Sequence, residues 1–233
     1  MPYNKPEIME KVLEAADYPI LIITDMEMGF PTSELPPVSM KSLAACNNPE
    51  YYRSFARAVV ADAKKAGFNG TWNPNVDHGD GYRRISDVTE MICEGAEFIA
   101  QVYANNSFLN CAKHYPSGTH KFDSHMANTG CYETKEELLS KNLVPYVHLM
   151  KKGLLNSVMV GHSVYENIDP DYPASLSKKV IDIIRELGFD GVVWSDSFGM
   201  MAILQKYGRE KIYGMAVAAG NDIVLPDYRV STQ

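Results

Sequence analysis

An incomplete α/β barrel of the TIM type is the fold this sequence predicts, and three observations carry the prediction. Six short β-branched or apolar runs alternate with helical patterns, which implies a parallel sheet with helical crossovers. Ionisable residues follow each of the first five runs, and a closed parallel barrel is the arrangement that brings all its strand ends to one face. The length of 233 residues lies near the lower end for this fold, and six strands fall short of the eight that close it.

The elements follow in order. The first run, 19–24, is followed by Asp25 and Glu27. A helical pattern over 51–66 ends at Gly67, where a left-handed residue is wanted, and the run 70–72 leads on to Asp77 and His78. The helical pattern 88–104 and the run 108–112 deliver Lys113 and His114. Thr134 and Glu137 are spaced for a capping box at the start of a helical stretch over 135–152, and Pro145 is expected to split that stretch. The run 157–160 leads to His162. A helix over 178–187 stops at Gly188, the run 191–194 delivers Asp196, and a helix over 209–219 stops at Gly220 before the last run, 222–225. No GxGxxG or GxxxxGK[ST] loop follows any strand, so a doubly wound nucleotide-binding fold has no support. No repeat or linker is visible, and one domain over 1–233 is expected.

Composition excludes several classes. The hydrophobic fraction is 45% and the charged fraction 22%, ordinary values for a folded enzyme-sized core. Lys plus Arg number 22 against 29 Asp plus Glu, a net charge of −7, so a nucleic-acid partner has no electrostatic support. The longest apolar stretch is far too short to span a bilayer, and no leader pattern is seen, so a cytoplasmic location without membrane association is expected. Cys46, Cys93, Cys111 and Cys131 form no CxxC pair and have no His at ligand spacing; they read as scattered reduced thiols, with no metal site and no cofactor implied.

Two stretches carry the candidate chemistry. KHYPSGTHKFDSH, Lys113 to His125, holds three histidines, two lysines and one aspartate immediately after a strand. Asp123 and His125 are two apart, a spacing at which the carboxylate can hold the imidazole in one tautomer and raise its pKa. GFDGVVWSDSFGM, Gly188 to Met200, brings Asp196 to a strand end between Ser195 and Ser197, whose hydroxyls can orient a carboxylate. A nucleophile and a helix N-cap are level readings of Asp196 on these residues alone. His162 reads equally as a pocket residue and as a satisfied structural histidine, and Trp194 as core.

Together these stretches resemble glycoside hydrolase family 3, in particular its bacterial β-N-acetylhexosaminidase branch. The likeness runs from ITDMEMG to AAGNDIVL. It includes Lys113, His114, Tyr115 and Pro116 before the triplet Asp123, Ser124, His125, and the stretch VMVGHSVYENIDPDYPASLSKKVIDIIRELGFDGVVWSD. The sequence departs from the family pattern at Ser117, Gly118 and Thr119, and at Met28 in the first strand-end segment.

The resemblance implies a retaining exo-glycosidase for terminal β-linked N-acetylglucosamine, with Asp196 as nucleophile and Asp123–His125 as the acid/base dyad. It implies that Asp25, Arg83, Lys113, His114 and His162 bind the carbohydrate substrate, with Arg84 an alternative to Arg83, and that Asp77 has a structural role in shaping the barrel floor. A β-glucosidase-type exo-glycosidase and a catalytically silent sugar-binding homologue are the other readings. The family normally supplies two further strand–helix units before ITDMEMG, so the barrel is expected to lack them. Its open edge predicts self-association or a completing chain.

Overall fold

The computed structural model describes residues 6–31, 33, 34, 36–117, 130–200, 203 and 206–226. Eight strands occur among them: β1 (Ile23–Thr24), β2 (Gly70–Thr71), β3 (Leu109–Tyr115), β4 (Gly130–Cys131), β5 (Ser157–Val160), β6 (Val164–Tyr165), β7 (Asp169–Pro173) and β8 (Val192–Ser195). The main sheet has the order β1-β2-β3-β5-β8 and is parallel throughout. Sheet order follows chain order without a reversal, so every crossover winds the same way. That is barrel winding; a doubly wound sheet would reverse direction near its middle. The sixth predicted strand joins through one parallel bridge, Trp194 to Ile223, with Ser195 N–H donating to Ile223 C=O at 2.9 Å. The sheet is therefore an incomplete α/β barrel, as the sequence predicts.

Its two faces are buried in different ways. Ala112, Val158, Val160 and Val193 face outward into one large core with the helices Pro49–Lys65, Thr89–Asn105, Val144–Lys151 and Lys178–Glu186. Cys111, Met159 and Trp194 face the barrel interior beside Ile23, Trp72 and Ile223, with Trp72 and Trp194 edge to face at 6.0 Å. Burial on both faces explains why these strands read as continuous apolar runs with no polar alternation. Trp194 is core, as expected, and sits two residues before Asp196.

Local signals place the helices. Pro49–Lys65 begins behind Asn48, whose side chain accepts from Glu50 N–H, with Pro49 in the first turn and Lys64 and Lys65 in the last. Lys178–Glu186 is capped by Ser177, which accepts from Val180 N–H, and buries Val180, Ile181, Ile183 and Ile184 at helical spacing. Gly188 ends it at φ +90°, and Gly67 and Gly220 also have positive φ.

The structure adds four things. The predicted capping box forms at Thr134, but the helix then widens into a π-type stretch over Leu138–Asn142, with Leu143 N–H on Leu138 C=O at 2.8 Å. Pro145 opens the next helix, Val144–Lys151, where its missing N–H costs nothing. Helices Pro6–Ala15 and Met40–Ala45, and a small sheet of order β4-β6-β7, appear in segments to which the sequence assigns no element. β3 continues three residues past its predicted end, which puts Lys113 and His114 inside the strand. Among the described residues no helix is long and apolar enough to cross a membrane.

Candidate active site

Two polar arms leave the same strand. Along β3, Lys113 pairs with Met159 and Tyr115 with Val160, so β3 has one extra residue, His114, at that point. Tyr115 turns outward to the helices, where its hydroxyl donates to Val180 C=O at 2.8 Å, while Lys113 and His114 both reach charged partners at the C-terminal ends of neighbouring strands. Strict alternation would have sent two consecutive residues to opposite faces.

The first arm is an ion-pair cluster. Lys113 is 2% exposed, and its ammonium meets the Asp25 carboxylate and, at 2.9 Å, Glu27 Oε1. The same Glu27 oxygen accepts from Arg83 at 2.6 Å. Burial alone would raise the Glu27 pKa, but Lys113 and Arg83 outweigh it and hold the carboxyl at about 2. Burial likewise opposes the charge on Lys113, and Asp25 and Glu27 override it and push its pKa up. Asp25 is 59% exposed, so this carboxylate, unlike Glu27, faces solvent and can accept from ligand hydroxyls. Arg83 rather than Arg84 belongs to the cluster: Arg84 donates instead to His78 C=O at 2.9 Å.

The second arm joins three strand ends. Asp77 accepts from His114 twice, Oδ1 from the backbone N–H at 2.9 Å and Oδ2 from ring Nδ1 at 2.8 Å. The other ring nitrogen, Nε2, lies 4.0 Å from Asp196 Oδ2. Burial disfavours the imidazolium, but Asp77 and then Asp196 raise the His114 pKa despite Lys113. The contacts of Asp77 thus lie at the barrel mouth, on His114, and not at the floor where a structural role is expected.

Asp196 is held by backbone. Its own N–H donates to Val160 C=O at 2.9 Å, and Oδ1 accepts from Ser197 N–H at 2.7 Å, which leaves Oδ2 toward His114. The flanking hydroxyl oxygens serve elsewhere: Ser195 Oγ accepts from Leu225 N–H at 3.0 Å and Ser197 Oγ from Gly199 N–H at 3.2 Å. His162 is buried, with Nδ1 at 2.7 Å from Ser175 Oγ, Nε2 at 3.0 Å from Ser197 C=O, and its ring stacked on Phe198 at 5.1 Å. It braces the turn that carries Asp196.

The structure therefore brings Asp25, Arg83, Lys113, His114 and Asp196 together and adds Glu27 and Asp77. Both additions were visible as strand-end acids, but nothing in sequence spacing tells which strand-end acid meets which base. Asp123 and His125 lie outside the described residues. The chain leading to them is anchored at Ser117, whose hydroxyl donates to Val76 C=O at 3.2 Å and whose carbonyl accepts from Asn142. Among the described residues no group of three His, Cys, Asp or Glu is placed to hold a metal ion.

Charged groups gathered at the C-terminal ends of consecutive parallel strands place the chain among the α/β-barrel proteins with a site at the barrel mouth. Residues 6–233 match the glycosyl hydrolase family 3 N-terminal domain, and the chain belongs to that family. A β-hexosaminidase of Xanthomonas oryzae pv. oryzae is 30% identical over 237 aligned positions, covering 94% of this chain and 70% of that protein. A family 3 β-N-acetylglucosaminidase from Paenibacillus sp. superposes with a TM-score of 0.85 at 26% identity, over 97% of this chain and 46% of that one. CbsA from Thermotoga neapolitana superposes with a TM-score of 0.87 at 24% identity and shares the fold; the present chain spans 52% of its length.

Proposed function

We propose that this chain carries the catalytic barrel of a retaining exo-glycosidase that releases terminal β-linked N-acetylglucosamine. The observation that carries the reading is the placement of Asp196, a strand-end carboxylate with one oxygen bound by Ser197 N–H and the other facing His114 across 4.0 Å. Relatives that bear hexosaminidase and N-acetylglucosaminidase names support the substrate class.

In this mechanism Asp196 attacks the anomeric carbon while His125, oriented by Asp123, gives its proton to the departing glycosidic oxygen. The transition state has oxocarbenium character, and the product of the step is a covalent glycosyl ester on Asp196. His125 then takes a proton from water, whose oxygen attacks the same carbon and releases the Asp196 carboxylate. Asp25, Lys113, Arg83 and His114 grip the sugar hydroxyls, and the energy of that grip is used to align the ring for attack.

The test is turnover of an aryl N-acetyl-β-glucosaminide beside the matching aryl β-glucoside. The N-acetyl substrate is expected to be preferred, and Asp196→Asn to lower kcat by at least about 10⁴-fold. Equal or better turnover of the glucoside would assign the site to glucosides. Sugar binding without turnover of either would make the chain a binding protein.

A further inference from the structure

We infer that Asp77 is a positioning residue: it clamps His114 by backbone and ring together and so directs Nε2 to the space beside the Asp196 carboxylate. The catalytic consequence rests on the glycosidase reading above, while the clamp itself rests on geometry alone.

One carboxylate makes both bonds, to the His114 backbone N–H at 2.9 Å and to Nδ1 at 2.8 Å. The first locks the carboxylate to the strand; the second sets the ring about its last torsion and assigns a proton to Nδ1. Asp77 is 3% exposed, so it acts on a bound sugar through the groups it holds, and His114 is the one it bonds twice. The residue it holds is the extra one of the β3 bulge, which has no ladder partner to keep its side chain in place.

The gap on the far side of the ring is the functional part. At 4.0 Å, Nε2 and Asp196 Oδ2 are too far apart for a direct hydrogen bond but close enough for their charges to interact. The charged groups around the ring are Asp77 from the segment after β2, Asp196 from the end of β8, and Lys113 on its own strand. Two carboxylates against one ammonium favour the imidazolium, whose Nε2–H then donates into the space where a sugar hydroxyl adjoins the attacked carbon. Without Asp77 the ring can turn, and the neutral form can place its proton on either nitrogen.

The experiment follows the histidine ring nitrogens by ¹⁵N NMR in the free protein through a pH titration, in the parent and in Asp77→Asn. It is paired with kcat and KM for the aryl N-acetyl-β-glucosaminide in both, in His114→Asn and in the double variant. The parent is expected to show Nδ1 protonated throughout, with a His114 midpoint above that of an ordinary histidine. Asp77→Asn, which keeps an acceptor oxygen but removes the charge, is expected to bring the midpoint back toward the ordinary value and to lower kcat/KM about 10- to 100-fold. The double variant is expected to be no worse than His114→Asn. An unchanged His114 titration in a folded Asp77→Asn, or losses that multiply in the double variant, overturn the proposal. If Asp77→Asn does not fold, the parent ring decides: a neutral form protonated on Nε2 overturns the clamp. If the parent turns over no glycoside, the glycosidase reading fails and the NMR result still decides the clamp.

Discussion

Replacing Lys113 by methionine tests the ion-pair cluster most directly. The substitution keeps the length of the apolar stem and removes the ammonium that Glu27 meets at 2.9 Å. The magnitude can be reached in two ways. Breaking a buried pair by removing one partner costs about 3–5 kcal/mol, and Arg83, still 2.6 Å from Glu27, holds the loss toward the lower end. The fall of the Glu27 pKa from 4.5 to about 2 corresponds to about 3 kcal/mol, all cations around it included, and that side chain is only 8% exposed. The first route gives about 3 kcal/mol and the second, which also counts Arg83, sets the scale at about the same size, and in a chain of this size such a loss lowers Tm by about 6–12 °C at neutral pH. The pH dependence follows from the direction of the shift. A carboxyl held low in the folded state stabilises it above pH 4.5, and that contribution disappears as pH falls through about 2. Parent and variant should therefore differ most at pH 7, and their melting curves, followed by circular dichroism, should converge between pH 4.5 and 2. A Tm at pH 7 within about 2 °C of the parent, or a gap that stays constant on acidification, would refute the reasoning.

Three other outcomes follow from packing and polar contacts. Only Cys46 should react with a thiol reagent in the native protein, because Cys93, Cys111 and Cys131 are buried and burial raises their pKa values to about 11, 12 and 12; protection of Cys46 or native labelling of Cys111 would contradict the fold. Gly95→Ala would put a methyl group 3.0 Å from the Tyr52 ring, where the helices 49–65 and 89–105 meet. The crowding of about 1–3 kcal/mol should exceed the gain in helix propensity, and calorimetry should show a lower Tm, not a higher one. Asp222→Ala should destabilise by about 1–3 kcal/mol in urea, because it leaves the Val193 N–H, now bonded to Asp222 Oδ2 at 2.7 Å, without its acceptor in β8; the accompanying Arg185 pair is half exposed and adds little.

Much of this architecture is legible in the chain because barrel strands and their helices announce themselves locally. Val158, Val160 and Val193 lie in short runs whose two buried faces leave mostly apolar residues, and Ser177, Thr134 and Gly188 stand where helix ends require them. Asp25, Lys113, His114 and Asp196 could be nominated because each follows or ends a strand, and parallel strands bring such positions together whatever lies between. What could not be read is pairing across the barrel mouth. Glu27 and Asp77 are as plain in the sequence as Asp25, yet whether Glu27 meets Lys113 and Arg83, or Asp77 meets His114, depends on the relative heights of β1, β2 and β3, which no local pattern encodes. Pro145 shows the same limit: proline marks a discontinuity, and only the preceding π-type stretch shows that it starts a helix.

The extra residue in β3 also bears on how this site can change. Everything before it keeps barrel register with β5 through Lys113 and Met159, and everything after it resumes at Tyr115 and Val160. Deleting His114 would mend the ladder and leave both neighbours facing as they do now, so the barrel would survive with one polar arm fewer and Asp77 left without its ring partner. Inserting a residue there would instead rotate Tyr115 out of its pocket beneath the helices. The bulge is thus a point where a single codon lost or gained separates folding from chemistry. Chains of this fold that lack the residue should remain folded while losing the histidine beside the Asp196 carboxylate.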